Sequence, residues 1–173
     1  MEICWGASHT ARLRQVSVGW DGTEAGVREQ AELAQAIAAE HGGQDFQWTA
    51  RAEDRNRLWQ ARHDSYYAAL SLRPGCVGWA TDVCVPISRL GDCIHETRAD
   101  LAEAGLLAPI VGHVGDGNFH LLMLLDPGKP EELATAQRLN KRLVRRAIAM
   151  GGTCTGEHGV GMGKMDSLAE EAG

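Results

Sequence analysis

Ile110-Val111-Gly112-His113-Val114-Gly115-Asp116-Gly117-Asn118-Phe119-His120-Leu121-Leu122-Met123-Leu124-Leu125 is the stretch on which the fold turns. Two largely apolar runs flank Asp116-Gly117, a preferred centre for a two-residue type I′ hairpin. On that reading Gly115 pairs with Asn118, Val114 with Phe119, and His113 with His120. Directly opposed residues hold their Cβ atoms roughly 5 Å apart on one face of the ribbon. Two imidazoles so placed can share a divalent cation, for which histidine is the commonest ligand. The returning strand ends in Leu121 to Leu125, apolar on both faces, as a central strand requires.

Outward from the hairpin, helical and extended patterns alternate. Leu13 to Trp20 reads as a strand. Asp21-Gly22-Thr23 then caps a helix to about Glu40, with Val27, Ala31, Ala34 and Ala38 on one side. Phe46, Trp48 and Ala50 alternate as a second short strand. A helix of about Ala52 to Leu70 carries Leu58, Trp59, Tyr66, Tyr67, Ala69 and Leu70 in a stripe. Cys76 to Val85 reads as a strand that Pro86 ends, followed by a helix with Leu90, Ile94, Thr97 and Leu101 at helical spacing. A further helix, about Glu131 to Met150, turns Leu133, Ala136, Leu143 and Ala147 inward and stops at Gly151-Gly152, and a short one starts near Lys164. The clear hairpin among these elements makes the fold class α+β, a largely antiparallel sheet with helices packed on one face.

Composition narrows the function classes. At 173 residues, 44% hydrophobic and 23% charged, the chain is one folded domain and not a disordered segment. A net charge of −6 argues against nucleic acid as the main partner. Lys141, Arg142, Arg145 and Arg146 form the densest basic run, read as a solvated helix face with phosphate binding as the alternative. The five cysteines have no regular spacing, which suits reduced thiols better than a disulfide framework, with Cys84 and Cys154 as buried fillers. No apolar run approaches a membrane span, and no secretory leader pattern is evident.

A second glycine-dense stretch, Gly151-Gly152-Thr153-Cys154-Thr155-Gly156-Glu157-His158-Gly159-Val160-Gly161, offers another carboxylate and imidazole. Neither a phosphate loop nor G-x-G-x-x-G fits, because Lys164 stands where the third glycine belongs and Met165 follows it. His120 shares a strand face with Leu122 and Leu124, so alone it reads as a satisfied core histidine. With His113 opposite, and Glu157 as the best third donor, a metal site becomes the competing reading. Two imidazoles and one carboxylate suit zinc, manganese or iron. Asp116 is turn chemistry first and a hydrogen-bond acceptor for a ligand second. Arg62 falls within an apolar stripe, where it needs an internal or a bound carboxylate unless its stem packs flat with the head in water. His158 alone is a surface-loop histidine.

Both glycine-rich stretches resemble the C-terminal domain of FAD-linked 2-hydroxyacid dehydrogenases, as do Trp59-Gln60-Ala61-Arg62 and Asp82-Val83-Cys84-Val85-Pro86. The likeness runs from about Gly22 to the end and is strongest to the cytochrome-linked D-lactate dehydrogenases. Residues 1–12 stay unassigned, and 13–173 form the substrate and metal domain. The resemblance implies a roles set: His113, His120 and Glu157 as ligands of a divalent metal, Arg62 on the substrate carboxylate, and His158 as the base for the substrate hydroxyl. It implies FAD as redox cofactor, held mainly by a domain that precedes this region, so the chain is expected to lack that domain and to be truncated at its C-terminus. The implied partners are a small 2-hydroxy acid and an electron acceptor such as cytochrome c or a quinone. The implied location is mitochondrial in a eukaryote, and cytoplasmic or membrane-peripheral in a bacterium. Dicarboxylate-oxidising relatives carry a lysine just before the Asp82 region and an asparagine two residues after the second histidine. Ala80 and Leu122 here favour lactate or a larger aliphatic 2-hydroxy acid. A catalytically inert metal-binding module and a metal-dependent hydrolase are the two alternatives from other classes.

Overall fold

A computed structural model describes residues 16–44, 46–49 and 51–173, without the side chains of residues 52, 55, 57, 58, 61 and 62. Its elements are α1 (Glu24–Glu40), α2 (Ala52–His63), α3 (Ser65–Ser71), β1 (Val77–Ala80), β2 (Val83–Cys84), α4 (Ile87–Ala104), β3 (Ile110–His113), β4 (Asn118–Leu125), α5 (Pro130–Ala149) and α6 (Met165–Ala172). The α+β class and the antiparallel sheet are as expected, with every named strand pairing antiparallel, but helices cover both faces and not one: α4 and α5 on one side, α3 on the other.

Strand β4 is the spine. All eight of its residues are buried. One edge pairs with β1 and then β2, and the other with β3. Phe119, Leu121, Met123 and Leu125 point to one face, where they form the main core with Leu90, Cys93 and Leu101 of α4 and Leu143, Val144 and Ala147 of α5. Leu122 and Leu124 point to the other, where Ala69 and Leu70 of α3 cover them. Asn118 and His120 lie on that second face too, since side chains alternate along a strand.

The hairpin differs from the type I′ expectation. A 3₁₀ turn, Val114–Asp116, and Gly117 connect the strands, with Gly117 at φ 76° donating its N–H to the Val114 carbonyl at 3.3 Å. His113 therefore pairs with Asn118, and Val111 with His120. The register is two residues from the expected one. An even shift returns every side chain to its original face, so the two histidines stay together as diagonal neighbours. Only glycine suits position 117: a Cβ there would lie 1.9 Å from the Val85 carbonyl oxygen. That close approach of β2's end makes the longer loop fit.

Other elements depart in instructive ways. The expected strand over Leu13 to Trp20 lies partly outside the described residues, and 16–20 carry no strand pairing. Residues 46–49 of the second expected strand are likewise unpaired, and Ala50 lies outside the described residues. Alternation shows that one side of a segment is apolar, but the described edges of β1, β2 and β3 offer these segments no pairing. Trp48 instead stacks near Arg28 of α1, 5.9 Å from its guanidinium carbon. The long helix over Ala52 to Leu70 breaks at Asp64 into α2 and α3, leaving Tyr66 and Tyr67 exposed while Ala69 is buried. Leu133 is exposed and not inward; Val144 takes the buried position. Cys154 is fully buried as expected, whereas Cys84 is only half-buried; its Sγ lies 3.2 Å from the Asp116 carbonyl.

In the basic run on α5, Lys141, Arg142 and Arg145 lie on the solvated face as expected, and Arg146 departs from it. Arg146 turns inward, pairing with Asp100 and donating to Glu96 at 2.8 Å and Thr97 at 3.0 Å. Arg142 pairs with Asp100 at 3.0 Å and Arg145 with Glu170 at 3.7 Å. Three of the four charges are thus already paired with carboxylates of α4 and α6, which argues against a phosphate site. Arg73, just beyond α3, grips Glu132 of α5 through two parallel bonds of 2.7 and 2.9 Å and the Leu124 carbonyl at 2.8 Å. That bidentate pair ties the end of β4 to the start of α5.

Candidate metal centre

The strand bearing β1 and β2 is interrupted at Thr81-Asp82, and the interruption creates the site. Thr81 uses its hydroxyl, not its carbonyl, to accept the Leu121 N–H at 2.9 Å. The freed Thr81 carbonyl accepts from His120 Nδ1 at 3.0 Å. A carbonyl can only accept, so Nδ1 carries a proton and Nε2 is the nitrogen turned towards the site. Nε2 faces Glu157 Oε1 at 3.0 Å. From the end of β3, His113 Nε2 approaches the same oxygen at 3.5 Å. The two rings are 6.1 Å apart and nearly perpendicular.

One donor atom from each of His113, His120 and Glu157 lies within 4.8 Å of the others. Ligands about 2.0–2.2 Å from a cation are separated by roughly 3.0–3.5 Å for octahedral to tetrahedral angles. Both measured contacts to Glu157 match that spacing. A His120 Nε2 lone pair beside a carboxylate oxygen is repulsive unless a proton or a metal ion lies between them. The donor set therefore fits a divalent cation, and the half-exposed Glu157 leaves the outer side open.

The loop carrying Glu157 is held by a residue that sequence reasoning left without a role. Asp82 is 3% exposed. Its Oδ2 accepts from Thr155 Oγ1 at 2.7 Å and from the backbone N–H groups of Gly156, Glu157 and His158 at 2.8, 3.0 and 2.9 Å. Burial pushes the Asp82 carboxyl up, but the Thr155 hydroxyl and the three backbone donors more than offset it and hold it below the usual range. The Lys164 ammonium, beyond the loop, donates to the Asp82 carbonyl. Burial pulls Lys164 below its ordinary value, against the opposing pull of the Asp82 charge. At the loop's start, Thr153 and Cys84 exchange backbone bonds of 3.3 and 2.8 Å. A signal for Asp82 was present in the sequence: an acid inside Trp79-Ala80-Thr81-Asp82-Val83-Cys84-Val85 is a buried charge that demands several donors.

His158 directly follows, with a 58% exposed side chain and its ring 5.1 Å from that of His120. It extends the cluster towards the open side. Arg62 lies in α2, but its side chain is outside the described residues. Burial pushes both the Cys84 and Cys154 thiols up, which favours their protonated form. Asn118, opposite His113, is 5% exposed, and its Oδ1 has no donor among the described residues. It sits against Gly156, where a Cβ would approach within 2.4 Å of its amide nitrogen.

The family model described as FAD linked oxidases, C-terminal domain, matches residues 15–173. The chain belongs to this family. This FAD-linked oxidase domain is 53% identical over 152 residues to a probable mitochondrial D-lactate dehydrogenase of Danio rerio, covering 88% of the chain and 31% of that relative. It is 43% identical to a mitochondrial D-lactate dehydrogenase [cytochrome] of Arabidopsis thaliana, covering 88% of the chain and 27% of the relative. It is 28% identical to the glycolate oxidase subunit GlcD of Escherichia coli K12, covering 87% and 30%. The chain thus spans about a third of the length of the curated relatives it matches. Among the described residues, no helix is long and apolar enough to cross a membrane.

Proposed function

We propose that this domain is the substrate- and metal-binding part of an FAD-dependent dehydrogenase that oxidises a D-2-hydroxy acid, D-lactate in the first instance, to the 2-oxo acid. The observation that carries the reading is the meeting of His113, His120 and Glu157 donor atoms with His158 beside them. His113, His120 and Glu157 would hold a zinc, manganese or iron ion, which supplies charge that acidifies a hydroxyl, while the flavin supplies the two-electron redox chemistry. Arg62 meets the substrate carboxylate with its planar fork. His158 accepts the hydroxyl proton from the open side of the cluster, a task suited to an imidazole near neutral pH. Family membership supports this over a hydrolase or an inert module.

The second face of the sheet supports the substrate class. Ala80 and Leu122 are paired across β1 and β4 on the same face as His120. Leu122 is buried with Leu124 under α3. A second substrate carboxylate placed there would be desolvated beside hydrocarbon, at a cost of several kcal/mol. A monocarboxylate incurs no such cost. The relatives' names support a mitochondrial location and a cytochrome acceptor, with a quinone as the alternative acceptor.

The test is steady-state oxidation by the intact flavoenzyme containing this domain. D-Lactate turnover that is lost on chelation and restored by one divalent metal is the expected result. Preferential oxidation of D-2-hydroxyglutarate would overturn the substrate assignment, and full activity of a His113→Ala/His120→Ala variant would overturn the metal centre.

A further inference from the structure

We propose that Asp82 is the positioning residue of the metal centre. The Thr81-Asp82 break in the sheet sets both halves of the donor cluster at once. This inference rests on the metal-centre reading above and extends it to a residue that would touch neither metal nor substrate.

The argument begins with what fails to hold Glu157 and His158. Their side chains are 48% and 58% exposed, so packing does not fix them. Their backbone is fixed instead, because the N–H groups of three successive residues, 156 to 158, converge on one Asp82 oxygen together with the Thr155 hydroxyl. Successive N–H groups pointing one way make an anion-binding concavity. In this chain an internal carboxylate fills it. The Lys164 bond to the Asp82 carbonyl fastens the far end of the same loop. Glu157 can then keep its 3.0 and 3.5 Å approaches to the two histidines.

The neighbouring residue serves the other half. Thr81 gives its carbonyl to His120 Nδ1, fixing the tautomer and presenting Nε2 to Glu157. Asp82 Oδ1 is buried, has no hydrogen-bond donor among the described residues, and lies 3.5 Å from the same Nδ1. One dipeptide therefore aims a ligand on the strand through a carbonyl and a ligand on the loop through a carboxylate. An asparagine at position 82 presents a neutral oxygen to four donors, and an alanine presents none. The loss falls on the geometry of Glu157, because the histidines stay anchored in β3 and β4.

The test is zinc affinity of the purified chain, measured by competition with a chelating dye, with zinc alone as the probe. Residues that orient a metal ligand change affinity by about 10–100-fold. We expect a loss in that range for Asp82→Ala, a smaller loss for Asp82→Asn, and a few-fold loss for Thr155→Val, which removes one of the four donors. Leu143→Ala is the control for destabilisation alone. It opens a cavity in the main core, away from the site, and should leave the zinc affinity of the folded protein unchanged. Asp82→Asn that folds cooperatively and binds zinc within twofold of the parent chain overturns the proposal. Should Asp82→Ala not fold, Asp82→Asn and Thr155→Val decide in the same way. A parent chain that binds zinc no better than its His113→Ala/His120→Ala variant overturns the underlying metal-centre reading instead.

Discussion

Replacing Gly156 by alanine isolates the loop geometry without removing a donor or a charge. The backbone at 156 is not in the left-handed region, so the effect is steric. The new Cβ would lie 2.4 Å from Asn118 Nδ2 and 2.5 Å from its Cγ, against an ordinary contact of about 3.5 Å. About 1 Å must be found. Asn118 is buried in the central strand and cannot swing into solvent, so the surface loop moves. Overpacking of this kind costs about 1–3 kcal/mol of stability. The displacement also carries Glu157, the next residue, away from the two imidazoles. Zinc affinity is expected to fall about 10–100-fold, or roughly 1.4–2.8 kcal/mol of binding free energy. Urea unfolding and competitive zinc titration read the two effects separately. Gly163→Ala is the matched control, because nothing lies within 4 Å of a Cβ there and its backbone is unstrained. A Gly156→Ala chain with parental stability and zinc affinity would refute the clamping of the loop between Asp82 and Asn118.

Two further predictions follow from other parts of the structure. In the intact flavoenzyme, His158→Gln should lower kcat by about 10²–10⁴-fold, the usual range for a lost general base, while zinc affinity stays within about twofold. Equal losses in both would make His158 a ligand and not a base. Hydrogen bonds from Arg73 and from the Asp126 N–H hold the Glu132 carboxyl down to about 2 from its ordinary 4.5. A depressed carboxyl stabilises the fold fully above its unfolded value and loses that contribution as pH falls towards the folded one. Thermal unfolding of Glu132→Gln should therefore lie below the parent near neutrality, with the gap closing between about pH 4.5 and 2. A gap that stays constant across that window would show that the pair contributes nothing ionic.

What could be read locally was read well. The apolar run at the end of β4 marked the central strand, Thr23 marked the start of α1, and the proposed metal centre rests on the side-chain types at 113, 120 and 157. Even the misjudged hairpin kept His113 and His120 on one face. Parity along a strand is a local property, and a four-residue turn differs from a two-residue one by an even number.

What depended on partners far along the chain was not legible. The Leu121 N–H meets the Thr81 hydroxyl forty residues away, and Asp82 collects donors from residues 155 to 158. Nothing in either segment alone specifies that meeting. Arg146 looked solvated on its own helix and became buried only when α4 brought Asp100 to it. Residue types and their faces are written into the chain one neighbour at a time, and they determined which atoms could bind a cation. Their distances are set by hydrogen bonds closed between distant segments, so only the folded sheet, interrupted at Thr81-Asp82, decided that Glu157 reaches both histidines.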